Sequence, residues 1–266
     1  MTDKPNFVLV PDPEPGRDAD RPGRAPPNRL RVLPEIANAL GSFRRMISGH
    51  TETLPPVEPG FVPQRPRLVF GFDATASREP AWAAARQVTD ALVRALPGAL
   101  DVALAVHGGS RLHTFTEFTS NPAALRDRAA AIRCSAGYTQ MLPILSRAVA
   151  APGVRVVTYI GDVFEESPGR GRKIADEMGR RRIRLIVLHD VADWNARRDA
   201  EVFLDLARRT GGCVLPFDAN SPDRLREILA AVAVYAVGGE ALLEQKRGTL
   251  PGAAMLLRHL GHEPDG

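Results

Sequence analysis

The sequence predicts an α/β protein: a three-layer, doubly wound sandwich of about six mostly parallel strands, one of them antiparallel, with helices on both faces. Three observations carry this. From Arg67 onward, short apolar runs alternate with segments of helical period. The runs lack the polar–apolar alternation of a half-exposed strand, so they belong in a sheet covered on both sides. A Gly-Gly pair separates two of them, which implies one antiparallel hairpin.

The elements follow in order. "RLVFGFD" (67–73) reads as the first strand. "PAWAAARQVTDALVRAL" (80–96) puts Trp82, Ala85, Val88, Leu92 and Leu96 on one face and reads as a helix. "DVALAVHGG" (101–109) and "RLHTFTEF" (111–118) are the hairpin strands around Gly108-Gly109. The helix "PAALRDRAAAI" leads to a loop at 134–138, and another helix begins near Gln140. Then come the strand "VRVVTYIGD", the helix "GRKIADEMGRR", the strand "IRLIVLHD" and the helix "DAEVFLDLARRT". A short strand "GCVLPFD" and the helix "SPDRLREILAAVAVYAV" complete a domain expected over 67–237.

Outside that domain the texture changes. Residues 1–66 hold thirteen of the 23 prolines and read as an extended N-terminal tether. Within it, 33–49 spaces Leu33, Ile36, Ala37, Leu40, Phe43 and Ile47 as a short amphipathic helix. Residues 238–266 are expected to form a helical extension packing back on the core.

Composition excludes several classes. Hydrophobic residues make up 44% and charged residues 25% of the 266, an ordinary globular mixture. A formal charge of +4 favours an acidic partner only weakly. Cys134 and Cys213 stand far apart without CxxC spacing, so neither a disulfide scaffold nor a thiolate zinc site is indicated. "FVLV" near the start is too short for a signal peptide, and the apolar run at 228–237 is too short to span a bilayer. The expectation is a soluble cytoplasmic protein with no membrane partner.

In an open parallel sheet, ligands collect beyond the carboxyl ends of the strands. Asp73 ends the first strand there, with Thr75 and Ser77 following at two-residue steps. A capping turn leading into a helix with Pro80 near its first position is the competing reading of this stretch. Thr139 in "CSAGYTQML" brings a hydroxyl just before a helix, and Asp162 ends "VVTYIGD". Two carboxylates and three hydroxyls form a hard-oxygen set that suits Mg2+ or Mn2+. Two carboxylates at most balance a dication and the hydroxyls add no negative charge, so an open coordination position on the ion can accept an incoming carboxylate.

These residues resemble the von Willebrand factor type A (VWA) family, intracellular bacterial type. The family's metal-ion-dependent adhesion site (MIDAS) is Asp-x-Ser-x-Ser, then a distant Thr, then a distant Asp at a strand end. Asp73 matches the first Asp, Thr75 and Ser77 the two serines, Thr139 the Thr and Asp162 the final Asp. The departure is Thr75 for Ser, which keeps the hydroxyl but restricts its rotamer. The resemblance implies direct metal ligation by Thr75, Ser77 and Thr139. It implies that Asp73 and Asp162 act largely through water, and that a protein partner supplies an acidic residue to the ion. It further implies a non-enzymatic binding module in the assembly or regulation of a larger complex.

Three alternatives differ in kind. A haloacid-dehalogenase-like Mg2+-dependent phosphohydrolase would use Asp73, Lys173, Asp162, Glu165 and Glu166, but it needs an acid where Thr75 stands. A dinucleotide or P-loop site is excluded, because no Gly-rich turn follows the first strand. Nucleic acid could meet the basic run at 170–184, yet no aromatic interleaving accompanies it. The sequence therefore argues against nucleic acid and against a small-molecule substrate. His107 and His113 flank the hairpin as structural residues, and His189 and Asp190 end a strand at the rim. Glu165 and Glu166 also lie near the rim, and Trp194 in "VADWN" is either a recognition aromatic or loop packing.

Overall fold

Alternate residues of the first strand face opposite layers of the protein. In β1 (Arg67–Asp73), Leu68, Phe70 and Phe72 join one apolar cluster and Val69 joins another, and none is more than 1% exposed. A strand apolar on both faces is stable only where both are covered. The computed structural model describes residues 64–76, 79–190, 194–217 and 220–260. The expected tether up to residue 63, with its helix at 33–49, lies outside the described residues.

After β1 come α1 (Glu79–Val88), α2 (Ala91–Arg94), β2 (Asp101–Gly108), β3 (Arg111–Phe115), α3 (Pro122–Ala131) and α4 (Met141–Ala150). Then follow β4 (Val154–Gly161), α5 (Pro168–Arg180), β5 (Arg184–Asp190), α6 (Trp194–Thr210), β6 (Cys213–Phe217), α7 (Pro222–Gln245) and α8 (Pro251–Leu260). The sheet has six strands in the order β3-β2-β1-β4-β5-β6. The β2–β3 pair is antiparallel and the others are parallel. β1 is thus an interior strand, with Asp73 opposite His107 on one side and Phe72 opposite Ile160 on the other.

Helices cover both faces, as the sequence predicts. Trp82 of α1, Leu92 of α2, Leu125 of α3, Leu229 of α7 and Leu256 of α8 pack with Phe70, Leu104 and Ile186. Leu142 of α4, Met178 of α5 and Phe203 of α6 pack with Val69, Val157 and Val187 on the other face. Among the described residues no helix is long and apolar enough to cross a membrane.

The element boundaries depart from expectation in instructive places. The helix expected over 80–96 is two, α1 and α2. The buried Thr89 hydroxyl donates to the Arg86 carbonyl, competing with the helical ladder at the break. The hairpin turn is Gly109-Ser110 rather than Gly108-Gly109. Both turn residues have positive φ (54° and 61°), as a tight two-residue turn requires, while Gly108 pairs with Arg111. β3 ends at Phe115 instead of residue 118, where the Thr116 hydroxyl accepts the Leu104 N–H at 2.9 Å. α6 begins at Trp194, ahead of the expected residue 199. α7 runs on through residue 237 to Gln245, with one non-helical residue, Gly239, at φ 64°. α8 then packs against α7 and β6.

Candidate metal centre

Asp73 is the last residue of β1, and its side chain is buried. Its Oδ1 accepts the N–H of Thr75 at 2.9 Å, a local turn that brings the chain round within two residues. The main chain here is fixed by its neighbours: Ala74 donates to the His107 carbonyl at 2.8 Å and accepts from Ser135 at 2.9 Å. Thr75 is 7% exposed. Ser77 lies outside the described residues.

Asp162 follows the end of β4, the strand beside β1, and is also largely buried. The His189 ring Nε2 lies 3.1 Å from the Asp162 carbonyl oxygen, so that nitrogen carries the proton and donates. The loop beyond is tied down residue by residue. Phe164 N–H donates to Asp199 Oδ2 at 3.0 Å. Glu165 N–H donates to Thr139 Oγ1 at 3.2 Å, and Thr139 N–H returns a bond to Glu165 Oε2 at 2.8 Å. Glu166 Oε2 accepts the Leu142 N–H at 2.8 Å.

These carboxylates do the work of a helix cap. The Gln140 side chain at the start of α4 makes no capping bond, and the first N–H groups of a helix need acceptors. Glu166 fills that place from another loop, and its negative charge suits a helix N-terminus. Burial pushes the Glu166 carboxyl above its usual range, opposed by the N–H groups of Leu142 and Met141.

His107 joins the two halves of the site. Its Nδ1 accepts the Gln140 N–H at 3.2 Å, one residue past Thr139, and Nε2 lies 2.8 Å from the Tyr159 hydroxyl. Nδ1 stands 3.8 Å from Asp73 Oδ1, too far for a hydrogen bond. Burial, with a smaller contribution from His113, lowers the His107 pKa to about 3. The ring is neutral and gives Asp73 no ion pair.

The structure therefore brings Asp73, Thr75, Thr139 and Asp162 to one end of the sheet, each 8% exposed or less. Among the described residues no three His, Cys, Asp or Glu side chains cluster as a metal site. An ion held here would need the hydroxyls as well as the carboxylates, and that donor set fits a hard divalent cation.

Other predicted residues fall elsewhere. His189 and Asp190 are buried at the end of β5, His189 positioning Asp162. Lys173 is exposed on α5. The basic run at 170–184 is largely engaged: Arg172 with Asp205, Arg180 and Arg181 with Glu177, and Arg184 with the Thr210 carbonyl. A groove of about 420 Å³ lined by Leu204, Arg208, Cys213 and His259 lies where β6 begins, at the other end of the sheet from Asp73. Sequence reasoning passed over His107 as a binding link and did not single out Tyr138. The available signal for His107 was one polar residue closing an otherwise apolar strand.

No model of a protein family matches the sequence, and no curated protein matches it. Solved structures do. A von Willebrand factor type A protein from Catenulispora acidiphila superposes with a TM-score of 0.54 at 16% identity, over 64% of this chain and 43% of its own. The domain has the von Willebrand factor type A fold. Two further solved structures match at a similar level. Proximal thread matrix protein 1 from the mussel byssus, with a zinc-occupied MIDAS motif, gives a TM-score of 0.50 at 13% identity over 64% of this chain and 46% of its own. The pilus adhesin SpaC from Lactobacillus rhamnosus GG, in its open conformation, gives 0.52 at 10% identity over 66% and 31%. This chain spans less than half the length of each, and at these identities the VWA likeness is one of fold.

Proposed function

We propose that this VWA-fold domain is a protein-binding module that holds a divalent ion through Asp73, Thr75, Ser77, Thr139 and Asp162. The observation that supports it most is the gathering of the four described members at the carboxyl ends of β1 and β4 and the start of α4. The ion, when bound, supplies an electrophilic position for a partner's carboxylate. Thr75 and Thr139 offer neutral oxygens, so the shell does not overbalance the charge of the ion. Glu165 accepts the Thr139 N–H and His107 accepts the N–H of the next residue, Gln140, which keeps the shell preformed.

Mg2+ or Mn2+ is the cation this hard donor set prefers. The zinc in the MIDAS motif of the byssus protein supports divalent binding in a general way. The partner we infer is a protein with an acidic residue, in the assembly or regulation of a larger complex. Free thiols at Cys134 and Cys213 suit a reducing compartment, and we assign the cytoplasm.

Two rivals lose support. The phosphohydrolase reading needs Glu165 and Glu166 at the metal, but both carboxylates accept main-chain N–H groups at the start of α4. Its proton donor would be Thr75, whose hydroxyl is far too weak an acid. The nucleic-acid reading needs a continuous basic surface, and Arg172, Arg180 and Arg181 of the run are paired with carboxylates. Arg180–Arg184 also lie where α5 leads into β5, at the far end of the sheet from Asp73.

Titration calorimetry of the full chain with Mn2+ and Mg2+ tests the reading. Wild type and Thr75→Ser should bind, and Asp73→Ala should not. Equal heats from wild type and Asp73→Ala would reduce the cluster to a turn and a cap.

A further inference from the structure

Resting on that metal reading, we propose that Tyr138 and Arg111 form a preformed recognition rim beside the ion. The rim selects an acidic partner segment with an apolar side chain within two residues of the carboxylate that meets the metal.

Tyr138 is 68% exposed, the most exposed large hydrophobic residue among the described residues. It immediately precedes Thr139, so their Cα atoms are about 3.8 Å apart. An aromatic ring held in water at a candidate binding centre costs the free protein burial that a partner can return. Tyrosine is also among the residues most often dominant in interfaces.

The backbone that carries this ring is clamped. Tyr138 N–H donates to Ser110 Oγ at 2.9 Å, and Thr139 N–H donates to Glu165 Oε2 at 2.8 Å. The His113 ring Nε2 lies 3.3 Å from Ser135 Oγ, joining the same loop to β3. At Gly137 the loop presses on the hairpin tip: a Cβ there, at φ +153°, would sit 2.4 Å from the Ser110 nitrogen. A loop fixed this way pays little backbone ordering on binding, so more of the contact energy appears as affinity.

The hairpin tip adds the charge. Arg111 follows Ser110 directly and is exposed. A dication and an arginine on one rim complement an acidic segment. In an extended partner, residues advance about 3.4 Å each, so a side chain one or two places from the acid reaches Tyr138.

The probe is a display library of twelve-residue peptides with a fixed central Asp, selected on the full chain in Mn2+ and again in EDTA. Wild type should enrich, only in Mn2+, peptides with an apolar or aromatic residue within two places of the Asp. Tyr138→Ala should keep the Mn2+ requirement, lose that enrichment and weaken the best peptide about tenfold or more. Arg111→Glu should remove any preference for a second acidic residue. Unchanged flanking preferences in both variants would overturn the rim and leave the metal reading standing. Selection that needs Tyr138 but persists in EDTA would keep the rim and overturn the metal. No Mn2+-dependent selection by wild type would overturn both.

Discussion

The Nε2 atom of His107 lies 2.8 Å from the hydroxyl of Tyr159, and both side chains are buried. Because Nδ1 accepts the Gln140 N–H, Nε2 must carry the proton and donate to the Tyr159 oxygen. One neutral imidazole thereby links β2, β4 and the start of α4.

That tautomer makes stability depend on pH. The folded-state pKa is depressed to about 3, below the ordinary value of 6.5. Between those values the unfolded chain binds the extra proton, so stability is fully present above pH 6.5 and falls as pH drops toward 3. The slope from this group is of order 1 kcal/mol per pH unit. Urea unfolding in EDTA from pH 7 to pH 4 reads it, and His107→Gln should flatten the profile. An identical slope in that variant would count against the assignment.

Trp82 stacks obliquely on Phe72, with ring centroids 4.5 Å apart, and is fully buried. Trp82→Ala should cost about 3–5 kcal/mol, through lost burial and the cavity left behind. Urea unfolding followed by far-UV circular dichroism measures this without relying on tryptophan emission.

Glu166→Ala removes the acceptor for Leu142 N–H at the start of α4. We expect a loss of about 1–2 kcal/mol in stability, by analogy with lost caps. Glu166→Gln keeps an acceptor oxygen and should recover much of it. Glu165→Ala frees the main chain of Thr139, so calorimetry should show weaker Mn2+ binding.

Burial pushes the Cys213 thiol up to about 12. Burial first, then a hydrogen bond with Glu79, does the same at Cys134. Both should resist iodoacetamide at pH 8 in the folded chain and react on unfolding in urea, because only the thiolate is a good nucleophile. Mass spectrometry of the alkylated protein gives the result.

Much of the architecture was legible along the chain. Unbroken apolar runs such as Leu68–Phe72 can be stable only between two helical layers, so the sandwich follows from local composition, while the place of β1 inside the sheet is set by the tertiary structure. The boundaries were less legible, because they turn on single side chains. The Thr89 hydroxyl competes for a helix carbonyl, and positive φ at Gly109 and Ser110 decides which pair makes the hairpin turn. Neither effect changes the hydrophobic pattern.

The sequence by itself determined the strand order of chemistry: Asp73 at the end of one strand, Thr139 before a helix and Asp162 at the end of another. Only the tertiary structure decided what holds them. His107 reaches Gln140 across 33 residues, Glu165 reaches Thr139 across 26, and His189 reaches the Asp162 carbonyl across 27. Such bonds depend on which strands lie side by side and in what register. The burial that keeps His107 neutral likewise comes from residues remote in sequence, since desolvation is a property of packed surroundings and not of the neighbouring chain.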